Sequence, residues 1–115
     1  MKIPKETEIP DLGFYYHYKH DPEGPITNYA YELLSVGVNT EDDCGEANEN
    51  MAVYRPLYET SLVYEAGKGK LIWLRPLSMW TEEVERDGKK MLRFQKITDF
   101  ETIAELTVIR DRMYS

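Results

Sequence analysis

Apolar and polar positions alternate in short runs along this chain, and breaker residues separate the runs. Aromatics dominate Gly13–Lys19 (GFYYHYK), which stops at His20-Asp21-Pro22-Glu23-Gly24-Pro25. Aromatic residues suit a pleated surface, and two prolines with a glycine are strong turn chemistry, so the pattern predicts a first strand. Tyr29–Val38 (YAYELLSVGV) reads as strand or short helix; Gly37 and the flanking breakers favour strand. The polar, acidic stretch Asn39–Asn50 reads as a loop. Met51–Tyr58 predicts a third strand, with Val53, Arg55 and Leu57 on one face and Tyr54, Pro56 and Tyr58 on the other. Pro56 implies an edge or a bulge, because proline cannot donate to the ladder. Thr60–Glu65 extends the run until Gly67-Lys68-Gly69 turns the chain.

The second half is organised around Lys70–Thr81 (KLIWLRPLSMWT). Leu71, Trp73 and Arg75 share one face of a fourth strand, and Ile72 and Leu74 share the other. Pro76 ends it, and Leu77–Trp80 predicts one 3-10 turn. Asp87-Gly88 fits the two positive-φ positions of a type I′ turn, so Glu83–Arg86 should pair with Lys89–Ile97. Thr98 with Glu101 matches a capping box, which predicts a helix from Asp99 to about Met113. Its apolar stripe is Ile103, Leu106, Ile109 and Met113. The expected fold is mainly β: a small SH3-like antiparallel barrel of five or six strands, with a 3-10 turn and a C-terminal helix. Residues 1–12, which hold Pro4 and Pro10, form an extended arm; 13–97 form the barrel; 98–115 are a helical extension.

Charge narrows the partners. The 115-residue chain has the size of one domain and a net charge of −7. Residues 1–60 carry four basic and twelve acidic side chains, a net of −8; the remainder carries ten and nine, a net of +1. Such a chain repels a phosphate backbone, so nucleic acid is disfavoured as a partner. The single cysteine, Cys44, cannot form an internal disulfide, and no apolar run approaches a membrane span. The expectation is a soluble, cytoplasmic protein.

Several short motifs resemble the bacterial domain-of-unknown-function family 1653, whose members are small SH3-like proteins. Gly13, Tyr15, His17, Tyr18 and Lys19 are similar to its opening Gly-x-Tyr-x-His-Tyr-Lys pattern. Val53, Tyr54, Arg55, Leu57 and Tyr58 resemble its Val-Tyr-Arg-x-Leu-Tyr segment. Trp73, Leu74, Arg75, Pro76, Leu77, Met79 and Trp80 resemble Trp-Val-Arg-Pro-Leu-x-Met-Phe, and Asp87, Gly88, Lys89, Arg93 and Phe94 resemble its closing residues. The resemblance spans roughly Gly13 to Ile97. It departs at His20, where the family usually has glycine, and in the acidic loop, which lacks the family's His-x-Glu. It implies a fold and no function.

Candidate chemistry is sparse. His17 and His20 lie three apart, which on a strand points them to opposite faces, and no further ligands accompany them. Cys44 sits among Asp42, Asp43 and Glu46, the wrong neighbourhood for a nucleophilic thiolate. The acidic loop lacks EF-hand spacing. No catalytic residue, metal or cofactor is expected. Arg55 and Arg75 each precede Pro-Leu beside aromatics, and guanidiniums near rings hold carboxylates or phosphates and stack; the plainer reading makes them rim residues paired with acidic side chains. The expected function is a non-enzymatic binding module for a protein or peptide segment, using Tyr15, His17, Tyr54, Arg55, Tyr58, Trp73, Arg75 and Trp80. The alternative is a small enzyme, or a binder of a small anionic molecule, with Arg55 and Arg75 as the clamp. The C-terminal helix either packs on the barrel or meets a second copy.

Overall fold

The computed structural model describes residues 1–59 and 71–114. The expected continuation at Thr60–Glu65 and the Gly67-Lys68-Gly69 turn lie outside these residues. The fold is mainly β. Strand β1 (Gly13–His17) pairs antiparallel with β2 (Ala30–Val38), β2 with β3 (Asn50–Pro56), and β3 with β4 (Trp73–Pro76). Helix α1 (Leu77–Thr81) and the hairpin β5 (Glu83–Arg86)–β6 (Lys89–Leu92) follow. Strand β7 (Phe94–Lys96) returns to pair with β1, and α2 (Phe100–Met113) follows. The main sheet runs β4-β3-β2-β1-β7, and β5-β6 is a separate two-stranded sheet.

The hairpin forms at its predicted turn, with Asp87 and Gly88 at φ 53° and 78°. Four expectations change. The run Lys89–Ile97 splits in two, so the described residues hold seven strands where five or six were expected. At Arg93 the backbone changes partner: its N–H donates to the Glu82 carbonyl of the hairpin, and its carbonyl accepts from the Tyr18 N–H beyond β1. Leu77–Thr81 is a turn of α-helix; 3-10 turns occur instead at Glu6–Glu8 and Glu46–Asn48. The helix cap moves one residue, from Thr98 to Asp99, whose carboxylate accepts from both the Thr102 N–H and hydroxyl. The fourth change is the barrel, which does not close: among the described residues no ladder joins β4 to β7. Pro76 ends β4 without a donor, and Trp80 of α1 instead stacks on Phe94 of β7 at 3.9 Å and packs against Tyr54 of β3.

Strand alternation gives the sheet two apolar faces. Tyr15, Tyr31, Leu33, Ala52, Tyr54 and Phe94 form an aromatic face around Trp80. Phe14, Ala30, Leu57 and Ile97 form the other, where Leu106 of α2 is fully buried and Ile103 and Ile109 pack beside it. The predicted helical stripe therefore packs on the sheet through Leu106, Ile103 and Ile109. A bulge between Leu33 and Ser35 shifts the β2–β3 register by one residue.

Candidate functional site

Seven of the eight candidate residues belong to the aromatic face. Tyr15 and His17 are two apart on β1 and share a side. Trp73 and Arg75 on β4 stand opposite Tyr54 and Ala52 of β3. Tyr58 is tied back by a 2.8 Å hydrogen bond between its hydroxyl and that of Tyr31. Arg55 is the exception. It is one residue from Tyr54 on β3, so it points to the opposite face and does not converge with Arg75. There it pairs with Glu32 at 2.8 Å, and Arg110 of α2 binds the other oxygen of Glu32 at the same distance. The Tyr114 ring stacks on the Arg55 guanidinium, and its hydroxyl donates to the Pro56 carbonyl.

The seven divide into floor and rim. Tyr15, Tyr54 and Trp80 are core residues, 5%, 5% and 1% exposed, and cannot meet a ligand directly. Tyr15 and Tyr54 contact Trp80 at 5.3 and 4.9 Å, and the Tyr15 hydroxyl donates to the Asp11 carbonyl. His17, Tyr58, Trp73 and Arg75 are partly exposed and form the rim. Sequence reasoning missed Tyr29, Tyr31 and Phe94. Tyr31 meets Tyr54, Tyr58, Trp73 and Phe94, all within 6.2 Å, and is the hub of the floor. The alternation Tyr31-Glu32-Leu33 within β2 carried that signal for Tyr31, whereas Tyr29 precedes the strand. Tyr29 stacks on His17 and holds φ at +54°, a conformation costly for a bulky side chain.

Burial is the first cause that makes these tyrosines harder to ionise, followed by neighbouring tyrosine hydroxyls at Tyr31 and Tyr58 and by the Asp11 carboxylate at Tyr15. Tyr31 and Tyr58 are pushed up, and Tyr15 goes to about 12. At neutral pH they act as hydroxyls. His17 is pushed the other way, down to about 4, first by burial and then by Arg93, Arg75 and Lys19. Its Nδ1 accepts from the Lys19 N–H, which leaves the proton on Nε2. Because its folded value lies below its usual 6.5, His17 stabilises the fold fully above that value and less as pH falls toward 4. The urea midpoint should therefore decline between about pH 6.5 and 5, before most carboxylates titrate, and His17→Gln should flatten that decline. An equal slope in both proteins would rule out this role.

The remaining candidates stand apart. His20 stacks on Tyr16 at 3.5 Å, and its Nδ1–H donates to the Asn28 carbonyl, away from His17. Cys44 lies in the acidic loop. A cleft of about 780 Å³ lies between the N-terminal arm, the acidic loop and α1, lined by Lys2, Glu8, Glu46, Glu49 and Leu77 among others. Its charged walls are mostly solvent-exposed side chains, so the aromatic face is the better-built site. Among the described residues no helix is long and apolar enough to cross a membrane.

One family matches: residues 13–96 fit the family described as "Protein of unknown function (DUF1653)". The chain belongs to the DUF1653 family. The match runs from the first residue of β1 to the last of β7, so it takes in every rim and floor residue. It stops short of α2, which covers the back of the sheet. No curated protein and no solved structure matches the chain.

Proposed function

We propose that this DUF1653 protein is a non-enzymatic, cytoplasmic binding module whose aromatic face receives an extended segment of a partner protein. The observation that carries this reading is the rim of Tyr58, Trp73, Tyr29 and His17 held on a buried aromatic floor. Rings fixed this way offer contact area at little conformational cost, because their rotamers are already set by packing. The tyrosine hydroxyls and the His17 N–H add hydrogen-bonding points for a peptide backbone. An anion clamped jointly by Arg55 and Arg75 is set aside, since their side chains project from opposite faces of β3 and β4.

Panning a phage-displayed random peptide library against the full chain tests the proposal. Selected peptides, resynthesised and titrated by fluorescence polarisation, should bind the wild type at least tenfold tighter than a Tyr58→Ala, Trp73→Ala variant. Circular dichroism would confirm that the variant is folded. No enrichment over the unselected library, or equal affinity for both proteins, would defeat the reading.

A further inference from the structure

We infer that the segment bound on the aromatic face presents an acidic side chain to Arg75, beside the Nε2–H of His17. This rests on the proposed binding function and adds the chemistry of the ligand. The arginines explain why. Arg55, Arg93 and Arg110 are partly buried, and each holds a carboxylate: Glu32, Glu82 and Glu32 again, at 2.8, 2.6 and 2.8 Å. Arg75 is also partly buried, yet among the described residues it meets no carboxylate. Its one hydrogen bond is a long one, 3.4 Å, from Nε to the Tyr54 hydroxyl. This is not for want of acids, because the chain has 21 of them against 14 basic residues. A desolvated guanidinium is costly without an anion, and its two terminal nitrogens match the two oxygens of one carboxylate.

The surroundings agree. The Arg75 guanidinium ends 5.4 Å from the centre of the Phe94 ring, and the His17 ring lies 5.2 Å from the same ring. A cation and a neutral imidazole N–H donor thus flank one aromatic. Arg93 and Lys19 also act on His17, so the spot is locally positive within an acidic chain. A singly charged carboxylate fits this better than a phosphate dianion, which the net charge of −7 repels more strongly. Trp73 precedes Arg75 by two residues on β4, and the His17 ring and the Arg75 guanidinium both lie against Phe94, so rim rings accompany its charge. A bound chain then continues past Arg75 in both directions, which favours an internal Asp or Glu over a free C-terminus.

Sodium acetate, acetamide, sodium chloride and sodium phosphate are the probes, each titrated into the ¹⁵N-labelled full chain and followed by NMR. Acetate is expected to shift the Arg75 Nε–H and the His17 ring resonances, acetamide and chloride to leave them in place, and Arg75→Gln to abolish the acetate shift. Arg75→Gln changes neither floor nor hydrogen-bonded ladder, so its spectrum should stay folded. Tyr58→Ala, Trp73→Ala should lose peptides while keeping the acetate shift, which separates failure of the binding function from failure of the carboxylate site. A Glu→Gln change in a selected peptide should cost about tenfold with the wild type and nothing with Arg75→Gln. Acetate shifts that match those of chloride, that survive Arg75→Gln, or that are weaker than those of phosphate would overturn the inference.

Discussion

Trp80→Ala is expected to destabilise the fold by about 3–5 kcal/mol, as large buried aromatics do when truncated to alanine. That is a large part of a small domain's total of roughly 5–15 kcal/mol. Trp80 is 1% exposed and lies parallel to Phe94 at 3.9 Å, with Tyr15 and Tyr54 against it. It therefore joins β1, β3 and β7 across the face where the barrel stays open. Trp80→Phe is the informative control. The indole N–H is buried without a hydrogen bond of ordinary geometry, although it lies near enough to the Tyr15 hydroxyl to favour its ionised form. Phenylalanine gives up no good hydrogen bond and keeps most of the stacking, so it should cost well under half as much. Urea unfolding followed by circular dichroism measures both. A cost below about 1.5 kcal/mol for Trp80→Ala would mean that the ring is not the keystone of this face. Trp73→Ala, on the half-exposed rim, should cost less than Trp80→Ala while removing more binding.

What could be read from the sequence follows the range of the interactions. The β5–β6 turn is set by Asp87-Gly88, two residues that carry their own backbone preference, and it forms as expected. The helical stripe is also local, and Leu106 is fully buried. Its destination is not local. That α2 covers the second face depends on Phe14, Ala30 and Leu57, far away in the chain. The two Arg-Pro-Leu signatures look equivalent, yet Arg55 and Arg75 part company. Their faces depend on the β3–β4 register, which sets Arg75 opposite Ala52, and a shift of one residue would reverse it. Trp80 follows the Pro76 stop and reads as an end residue; only the partners brought by β1, β3 and β7 make it core. The split at Arg93 arises because its N–H goes to Glu82 and its carbonyl to Tyr18, two partners from separate segments that no local pattern encodes. At the helix cap Asp99 takes the place expected of Thr98, because its carboxylate accepts two hydrogen bonds from Thr102. The strained Tyr29 beside His17 has no sequence signature at all.

Glu32→Gln should cost about 3–5 kcal/mol, the penalty for stranding buried charges by removing their partner. The Glu32 side chain is 9% exposed and receives Arg55 on one oxygen and Arg110 on the other. A neutral amide would leave the Arg55 guanidinium, 20% exposed, without an anion among the described residues, and Arg110, 29% exposed, with only the exposed Asp111 at 2.9 Å. The cluster joins β2, β3 and α2, so the weakened element should be the helix. Hydrogen exchange in Glu32→Gln should accelerate in α2 before the sheet, and proteases should cut near Arg110 first. Replacing all three with apolar residues, Glu32→Leu, Arg55→Met and Arg110→Leu, should cost less than Glu32→Gln alone, because the apolar set avoids the desolvation of three charges. If Glu32→Gln is nearly neutral, the cluster is wetter than its geometry implies and α2 is held by Leu106 and its neighbours. The cluster also separates stability from recognition. It lies on the back of the sheet, so peptide binding by Glu32→Gln below its unfolding transition should match the wild type. Arg75→Gln should show the reverse: near-native stability and loss of acidic-peptide preference. That opposite response of Arg55's partner and Arg75 is the sharpest sign that the two look-alike arginines do different work.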